Sequence, residues 1–175
     1  MPVYRRGRVT LSEFQQLASQ ALPTLWIHLP IPWIFTIGYL IGIVLQLLVP
    51  VSFDPGFWFA VTQILGVICL AIGAVLAFWA QWIFRKQHTT TIPTEATTSL
   101  VTWGPYRSSR NPMYLGLFLF FVGLSAIAVS MWSVLLLLLV LSYVNWVVVP
   151  VEERQLEKLF GHAYQNYRRN VRRWI

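Results

Sequence analysis

Charge is scarce in this sequence. Asp, Glu, Lys and Arg make up 11% of its 175 residues and hydrophobic residues 57%, whereas roughly a quarter of a soluble domain is charged, which excludes a chain whose surface faces only water. A single cysteine, Cys69, excludes an intramolecular disulfide, and its place inside an apolar run reads as a buried, inert thiol. The three histidines, His28, His88 and His162, are scattered without metal-ligand spacing, so no metal site is expected. The opening of the chain also lacks the compact apolar stretch of a cleavable signal: Arg5, Arg6 and Arg8 lead into the polar run Leu11 to Gln20, and the N-terminus is expected to be retained.

What the chain does have is long apolar runs. A hydrocarbon core about 30 Å thick needs about 20 apolar residues of helix, and residues 31–50 and 57–84 supply this without a formal charge. Residues 113–130 and 131–150 supply two more spans, joined so tightly near Ser130 to Ser133 that they must form an antiparallel hairpin. Ahead of the first span, Phe14, Leu17, Ala18, Ala21, Leu22 and Leu25 recur at helical spacing, which suits a short helix lying in the interface until Pro30 and Pro32. The expected fold is therefore an all-α integral membrane protein of about four transmembrane helices in two hairpins. An N-terminal interfacial helix precedes them and C-terminal cytoplasmic amphipathic helices follow. It forms one domain, 1–175: an interfacial segment 1–30, the first two spans within 31–84, and a core over 85–175.

The bases fall on one side of this arrangement. Arg5, Arg6 and Arg8 precede the first span; Arg85, Lys86, Arg107 and Arg110 lie between the second and third; Arg154, Lys158, Arg168, Arg169, Arg172 and Arg173 follow the fourth. These are all 13 basic residues, whereas the opposite connections hold Asp54 and no base. Basic residues near helix ends stay cytoplasmic, so both termini are expected there. The net charge of +7 then expresses topology and attraction to anionic membrane lipid and not nucleic-acid binding.

With outer connections so short, chemistry must be built from the segments 85–111 and 151–175. The run from His88 to Thr98 is Thr-rich and contains Pro93, and it reads as loop. Gly104-Pro105 makes a turn, and Asn111 stands where a helix N-cap belongs, with Pro112 at the first helical position. Arg107 and Arg110 serve as interface anchors on that reading. The same helix start, flanked by Arg110 and Tyr114, also offers amides, a positive dipole end and a cation to a carboxylate ligand, and the two readings are compatible. In the tail, Leu156, Leu159, Phe160, Ala163, Tyr164, Tyr167, Val171 and Trp174 form an amphipathic helical stripe interrupted at Gly161. Glu152 and Glu153 head it, either as solvated first-turn acids or as ligand groups.

These residues resemble the isoprenylcysteine carboxyl methyltransferase and phospholipid N-methyltransferase superfamily of membrane methyltransferases. The likeness covers roughly residues 84–175. It rests on Leu100-Val101, Gly104-Pro105-Tyr106, Arg110-Asn111-Pro112-Met113-Tyr114-Leu115-Gly116, Glu152-Glu153, Phe160-Gly161, and Tyr164 with Tyr167. It implies S-adenosylmethionine as cofactor, held in a cytoplasmic pocket closed by the tail, and a lipophilic or membrane-embedded methyl acceptor. Leu100, Val101, Gly104, Tyr106, Arg110, Asn111, Pro112, Met113, Tyr114, Glu152 and Glu153 are the implied cofactor contacts. Arg110 suits the cofactor's carboxylate, Glu152 its ammonium or ribose hydroxyls, and Tyr106 and Tyr114 its adenine or sulfonium. Methyl transfer needs alignment and exclusion of water more than acid or base, so Arg110, Tyr114 and Glu152 are expected to position and no catalytic triad is expected.

Two positions depart from the family pattern. Asn111 stands in place of a histidine, and Val148 in place of the arginine that carboxyl-methylating members carry four residues before the first Glu. A substrate carboxylate would lack that partner, which favours an uncharged or amine-bearing lipophile; tail arginines such as Arg172 or Arg173 are the possible substitutes. Two alternatives remain at this point: a membrane reductase using NADPH on the same C-terminal scaffold, and a non-enzymatic membrane binding protein. The sequence does not give the acceptor or the oligomeric state. Its sided charges do give a test: single-cysteine reporters near His88 and at the C-terminus should both react from the cytoplasmic side, and labelling from opposite sides would refute the four-span arrangement.

Overall fold

The structure, a computed structural model, describes residues 4–5, 30–51, 56–86 and 99–175. The interfacial helix expected before Pro30 and the Thr-rich run from His88 to Thr98 lie outside the described residues. Among those described, helices dominate: α1 (Ile31–Leu48), α2 (Phe59–Lys86), α3 (Pro112–Ile127), α4 (Met131–Tyr143), α5 (Val149–Phe160) and α6 (His162–Asn170). Short 3-10 turns occupy Gly56–Trp58 and Gly104–Arg107, and a two-residue antiparallel pair joins β1 (Tyr4–Arg5) to β2 (Ser99–Leu100), Tyr4 opposite Leu100.

Three helical stretches, Ile31–Leu48, Gly56–Lys86 and Met131–Phe160, are long and apolar enough to cross a membrane. The third expected span is shorter than its reading from sequence: α3 has 16 residues, a rise of about 24 Å. Leu40, Val44 and Leu47 on α1 and Ile64, Val75 and Phe78 on α2 lie exposed, an apolar surface far beyond what a water-soluble monomer presents. The chain is an integral membrane protein.

Lipid supplies no hydrophobic drive between helices, so close packing must hold them. Two seams of small residues do this. Along α2 and α3, a Cβ on Gly73 would overlap the backbone of Phe120, one on Gly116 would lie 2.5 Å from the nitrogen of Ala77, and one on Gly123 2.5 Å from that of Leu70. Along α1 and α4, Gly38 abuts Val140, and Gly42 abuts the backbone of Ser133. The helices therefore pair α2 with α3 and α1 with α4, which differs from the first expected hairpin: α1 and α2 follow one another in sequence but share no comparable seam. The second hairpin forms as expected. Val129 takes a left-handed conformation, φ 49°, Ser130 N donates to Ser125 O at 3.0 Å, and the Ser130 side chain accepts from Ser133 N at the start of α4.

The helix of the fourth span does not stop at Pro150. A proline inside a helix removes one hydrogen bond and crowds the carbonyl four residues back, here that of Trp146. Residues Val144–Val148 relieve this by forming a π turn, with Val149 N–H bonded to Val144 O, and the helix continues to Phe160. At Gly161, φ 49°, the chain turns into α6, which is the break expected there. Ile31 and Phe35 of α1, Tyr114 and Phe121 of α3, Leu137 of α4 and Val144, Val148 and Val149 beyond it meet in one core.

The seam predicts a contrast between two glycines. Gly73→Leu drives a side chain into the α3 backbone and should cost about 3 kcal/mol. Gly56 has open space around it and φ 47°, so Gly56→Ala should cost about 1 kcal/mol for the left-handed conformation alone. Thermal unfolding in detergent would read both, and equal losses would argue against backbone contact at Gly73.

Candidate functional site

The turn at Gly104–Arg107, the start of α3 and the start of α5 converge at one end of the helices. Gly104, φ 64°, packs against Ile83 and Trp79 of α2, so it serves the close fit of the turn to that helix. Val101 and Tyr106 are buried with Ala80 and Ile83, while Leu100 is buried with Phe160, Tyr164 and Tyr167 of the tail. Tyr167 Oη donates to Tyr106 O at 2.7 Å, which fastens α6 to the turn. Burial pushes the phenols of Tyr106, Tyr164 and Tyr167 above their ordinary range, so they stay protonated.

Arg110, Tyr114, Glu152 and Glu153 are brought together across the α3–α4 hairpin, Arg110 with Glu153 and Tyr114 with Glu152. Glu153 takes the arginine: Arg110 Nη1 lies 2.7 Å from Glu153 Oε1, with the two side chains 11% and 10% exposed. Contact is close but poorly aligned, for Arg110 Nε and Nη1 are buried without a hydrogen-bond acceptor. Arg173 binds the same carboxylate, its Nη2 2.8 Å from Oε2 and its Nε 3.2 Å from Oε1. Glu152 instead accepts a 2.5 Å hydrogen bond from Tyr114 Oη. It lies beyond the apolar run that ends at Pro150, and burial, with a smaller push from Glu153, raises its carboxyl to about 7 despite the lowering effect of Tyr114. The adjacent acids thus differ: Glu153 lies between two guanidiniums, and Glu152 is a buried carboxyl poised near neutrality.

Asn111 departs from its expected capping role. Its side chain makes no cap hydrogen bond; Nδ2 donates to Arg173 O at 3.1 Å. Ser109 Oγ donates to the same carbonyl at 3.2 Å and accepts from Asn111 N, and Arg110 N donates to Arg172 O at 3.0 Å. A carbonyl of the tail thus accepts from the Arg110 amide, and the Ser109 hydroxyl accepts from that of Asn111. Pro112 sits at the first helical position as expected, and Met113 packs between two of the buried clusters. Val148 is 2% exposed within the apolar core beside Ile31, Phe35 and Tyr114, so its position is no open slot in which an arginine could meet a substrate.

Sequence reasoning offered Arg173 only as a substitute partner for a substrate carboxylate, and it missed Ser109 and Asn145 as parts of this network. Trp174 Nε1 donates to Asn145 Oδ1 at 3.0 Å, seating the tail against the π turn. The signal for Asn145 was a lone amide inside an apolar run; nothing in the spacing of the tail arginines singles out Arg173. Buried Ser99 Oγ and Trp103 Nε1, like Arg110 Nε, have no hydrogen-bond partner among the described residues. Donors left over around this turn suit a polar ligand with several acceptors. No group of three or more His, Cys, Asp or Glu able to hold a metal occurs among the described residues.

The shared carboxylate carries a stability prediction. Glu153→Gln strands two shielded guanidiniums and should cost about 3 kcal/mol or more. The Glu157–Arg168 pair, 3.8 Å apart and about half exposed, gives a control, since Glu157→Gln should cost under about 1 kcal/mol. Unfolding midpoints of the two variants in detergent would compare them; similar losses would deny Glu153 its central place.

A family model described as phospholipid methyltransferase matches residues 61–163, and neither a curated protein nor a solved structure gave a match. That stretch is more than half of the chain, and it takes in the α2–α3 seam, the Arg110–Tyr114 helix start and both acids of the site; the chain belongs to the phospholipid methyltransferase family.

Proposed function

We propose that this methyltransferase uses S-adenosylmethionine to methylate a lipophilic, membrane-embedded acceptor, at the end of the helices where Arg110, Tyr114 and Glu152 meet. Its membrane arrangement is multi-pass, with α1, α2, α3 and α4 together with its π turn as spans, and the site and both termini on the cytoplasmic face. The observation that carries the reading is Glu152, a buried carboxyl with no cation beside it among the described residues, held only by Tyr114. The cofactor, when bound, supplies a methyl group on a cationic sulfur and presents an ammonium and a carboxylate at its amino-acid end. Glu152 suits the ammonium, Arg110 suits the carboxylate, and the unpartnered Ser99 Oγ and Trp103 Nε1 suit the polar edges of the rest.

The residues' own work is positional. Tyr114 fixes the direction of the Glu152 carboxylate, Glu153 fixes Arg110, and the tail shields both from water, which strengthens every charged contact made there. For the acceptor, α4 and the π turn that follows it offer no cation: Val148 is buried, and Asn145 is the polar side chain of that turn. An uncharged or amine-bearing lipophile fits such a wall better than a carboxylate.

Glu152 gives the test. A carboxyl poised near 7 is largely protonated at pH 6 and largely ionised at pH 8, and a cationic ammonium binds the ionised form. S-adenosylhomocysteine should therefore bind more tightly as pH rises from 6 to 8. The same displacement has the opposite sign for the free protein, whose stability from this group is full below about pH 4.5 and is lost as pH rises through about 7. Glu152→Gln should weaken S-adenosylhomocysteine about tenfold or more at pH 8 and abolish the pH slope. Calorimetry on folded protein in detergent would measure both. An unchanged affinity would remove Glu152 from the site, and binding of NADPH in place of S-adenosylhomocysteine would replace this reading with a reductase.

A further inference from the structure

One carboxylate, Glu153, holds two guanidiniums, those of Arg110 and Arg173. The arrangement is shielded, with the Arg110 side chain 11% and that of Arg173 30% exposed. No other acid among the described residues forms an ion pair with either arginine: Glu152 is engaged by Tyr114, and Glu157 lies beside Arg168. The cluster is left one negative charge short. A charge imbalance costs far more where water is excluded than at an open surface, and Arg110 adds two buried nitrogens with no aligned acceptor. A planar carboxylate is the group that answers both deficits, since its two oxygens match the fork of a guanidinium.

Arg173 is not on a loose end. Its carbonyl accepts from Ser109 Oγ and Asn111 Nδ2, the preceding carbonyl accepts from Arg110 N, and the following Trp174 is bonded to Asn145. Contacts on both sides of Arg173 thus deliver its guanidinium to the start of α3, against the same acid that holds Arg110. Its position lies beyond the stretch matched by the family model, which ends at residue 163.

We propose that Arg173 and Arg110 form a two-guanidinium clamp for a ligand carboxylate, with Glu153 as the positioning residue that holds both forks in place. The clamp rests on the cofactor reading above and deepens it: the carboxylate is the one at the amino-acid end of the cofactor, and Arg173 is a binding residue contributed by the tail.

The test compares two thionucleosides on the full chain in detergent by calorimetry: S-adenosylhomocysteine, which carries the carboxylate, and 5′-methylthioadenosine, which lacks the amino-acid end. Arg173→Gln should weaken S-adenosylhomocysteine about tenfold or more while leaving 5′-methylthioadenosine within about twofold. Arg173→Lys, which keeps the charge and loses the fork, should fall between wild type and Arg173→Gln. Equal weakening of both nucleosides would make Arg173 merely structural and overturn the clamp, as would unchanged S-adenosylhomocysteine binding. Wild-type protein that binds the two nucleosides equally would also overturn the clamp while sparing the cofactor reading. Binding of neither would sink the cofactor reading and the clamp with it. Should Arg173→Gln fail to fold, the ratio of the two affinities in Arg173→Lys decides: a reduced ratio supports the clamp and an unchanged one overturns it.

Discussion

Backbone contact between α2 and α3 is the constraint on which the rest of this structure hangs. Gly73 and Gly116 bring the two helices together without intervening side chains, and in lipid such packing is the main source of helix association. Once the seam is closed, the turn that follows α2 has little choice of place. Gly104 lies on Ile83 and Trp79, Tyr106 is buried with Ile83, and Arg110 and Tyr114 lie at the start of α3 immediately afterwards. A second seam, Gly38 and Gly42 of α1 against Val140 and Ser133 of α4, orients the helix that carries the two acids. The π turn then passes that helix through Pro150 without ending it. Site geometry is thus set by contacts that contain no chemistry of their own.

Within the site, adjacent acids on one helical turn have unlike tasks because they face different neighbours. Glu153 looks toward Arg110 and the returning tail, and its carboxylate joins two guanidiniums and holds structure. Glu152 looks toward Tyr114, a neutral donor that cannot balance a charge, and burial holds its carboxyl at about 7, above the usual carboxylate range. A buried pair of acids with identical partners would offer one function twice. Here the difference comes from the 3.6-residue turn, which sends neighbouring side chains in directions about 100° apart.

Much of this was legible in the sequence. Apolar runs marked the helices, the close-set serines at 130 and 133 marked the hairpin, and Gly161 marked the break before α6. The order of Arg110, Tyr114, Glu152 and Glu153 gave both the family and the fact that these residues would meet. Partner choice among them was hidden, because Arg110 reaches Glu152 or Glu153 equally well on paper and only packing selects. Helix pairing was hidden too: glycines at 38, 42, 73 and 116 read as small residues in every run and do not name their partners. Pro150 was misleading for a definite reason, since a proline ends most helices but a π turn can carry the chain past one. The tail strap left no signal, because it is made largely by the carbonyls of Arg172 and Arg173, which every residue possesses.

The unequal lengths of the two helices joined by the first seam bear on the lipid around them. α2 rises about 42 Å over its 28 residues and α3 about 24 Å over its 16, against a hydrocarbon layer of about 30 Å. Glycine contact prevents the pair from sliding to average out this difference, so the layer beside α3 has to thin, while that beside α2 has to thicken or be crossed at a slant. Such a dimple is a property of the surrounding film as much as of the protein. The length of the surrounding acyl chains therefore bears on how this pair of helices sits in its bilayer.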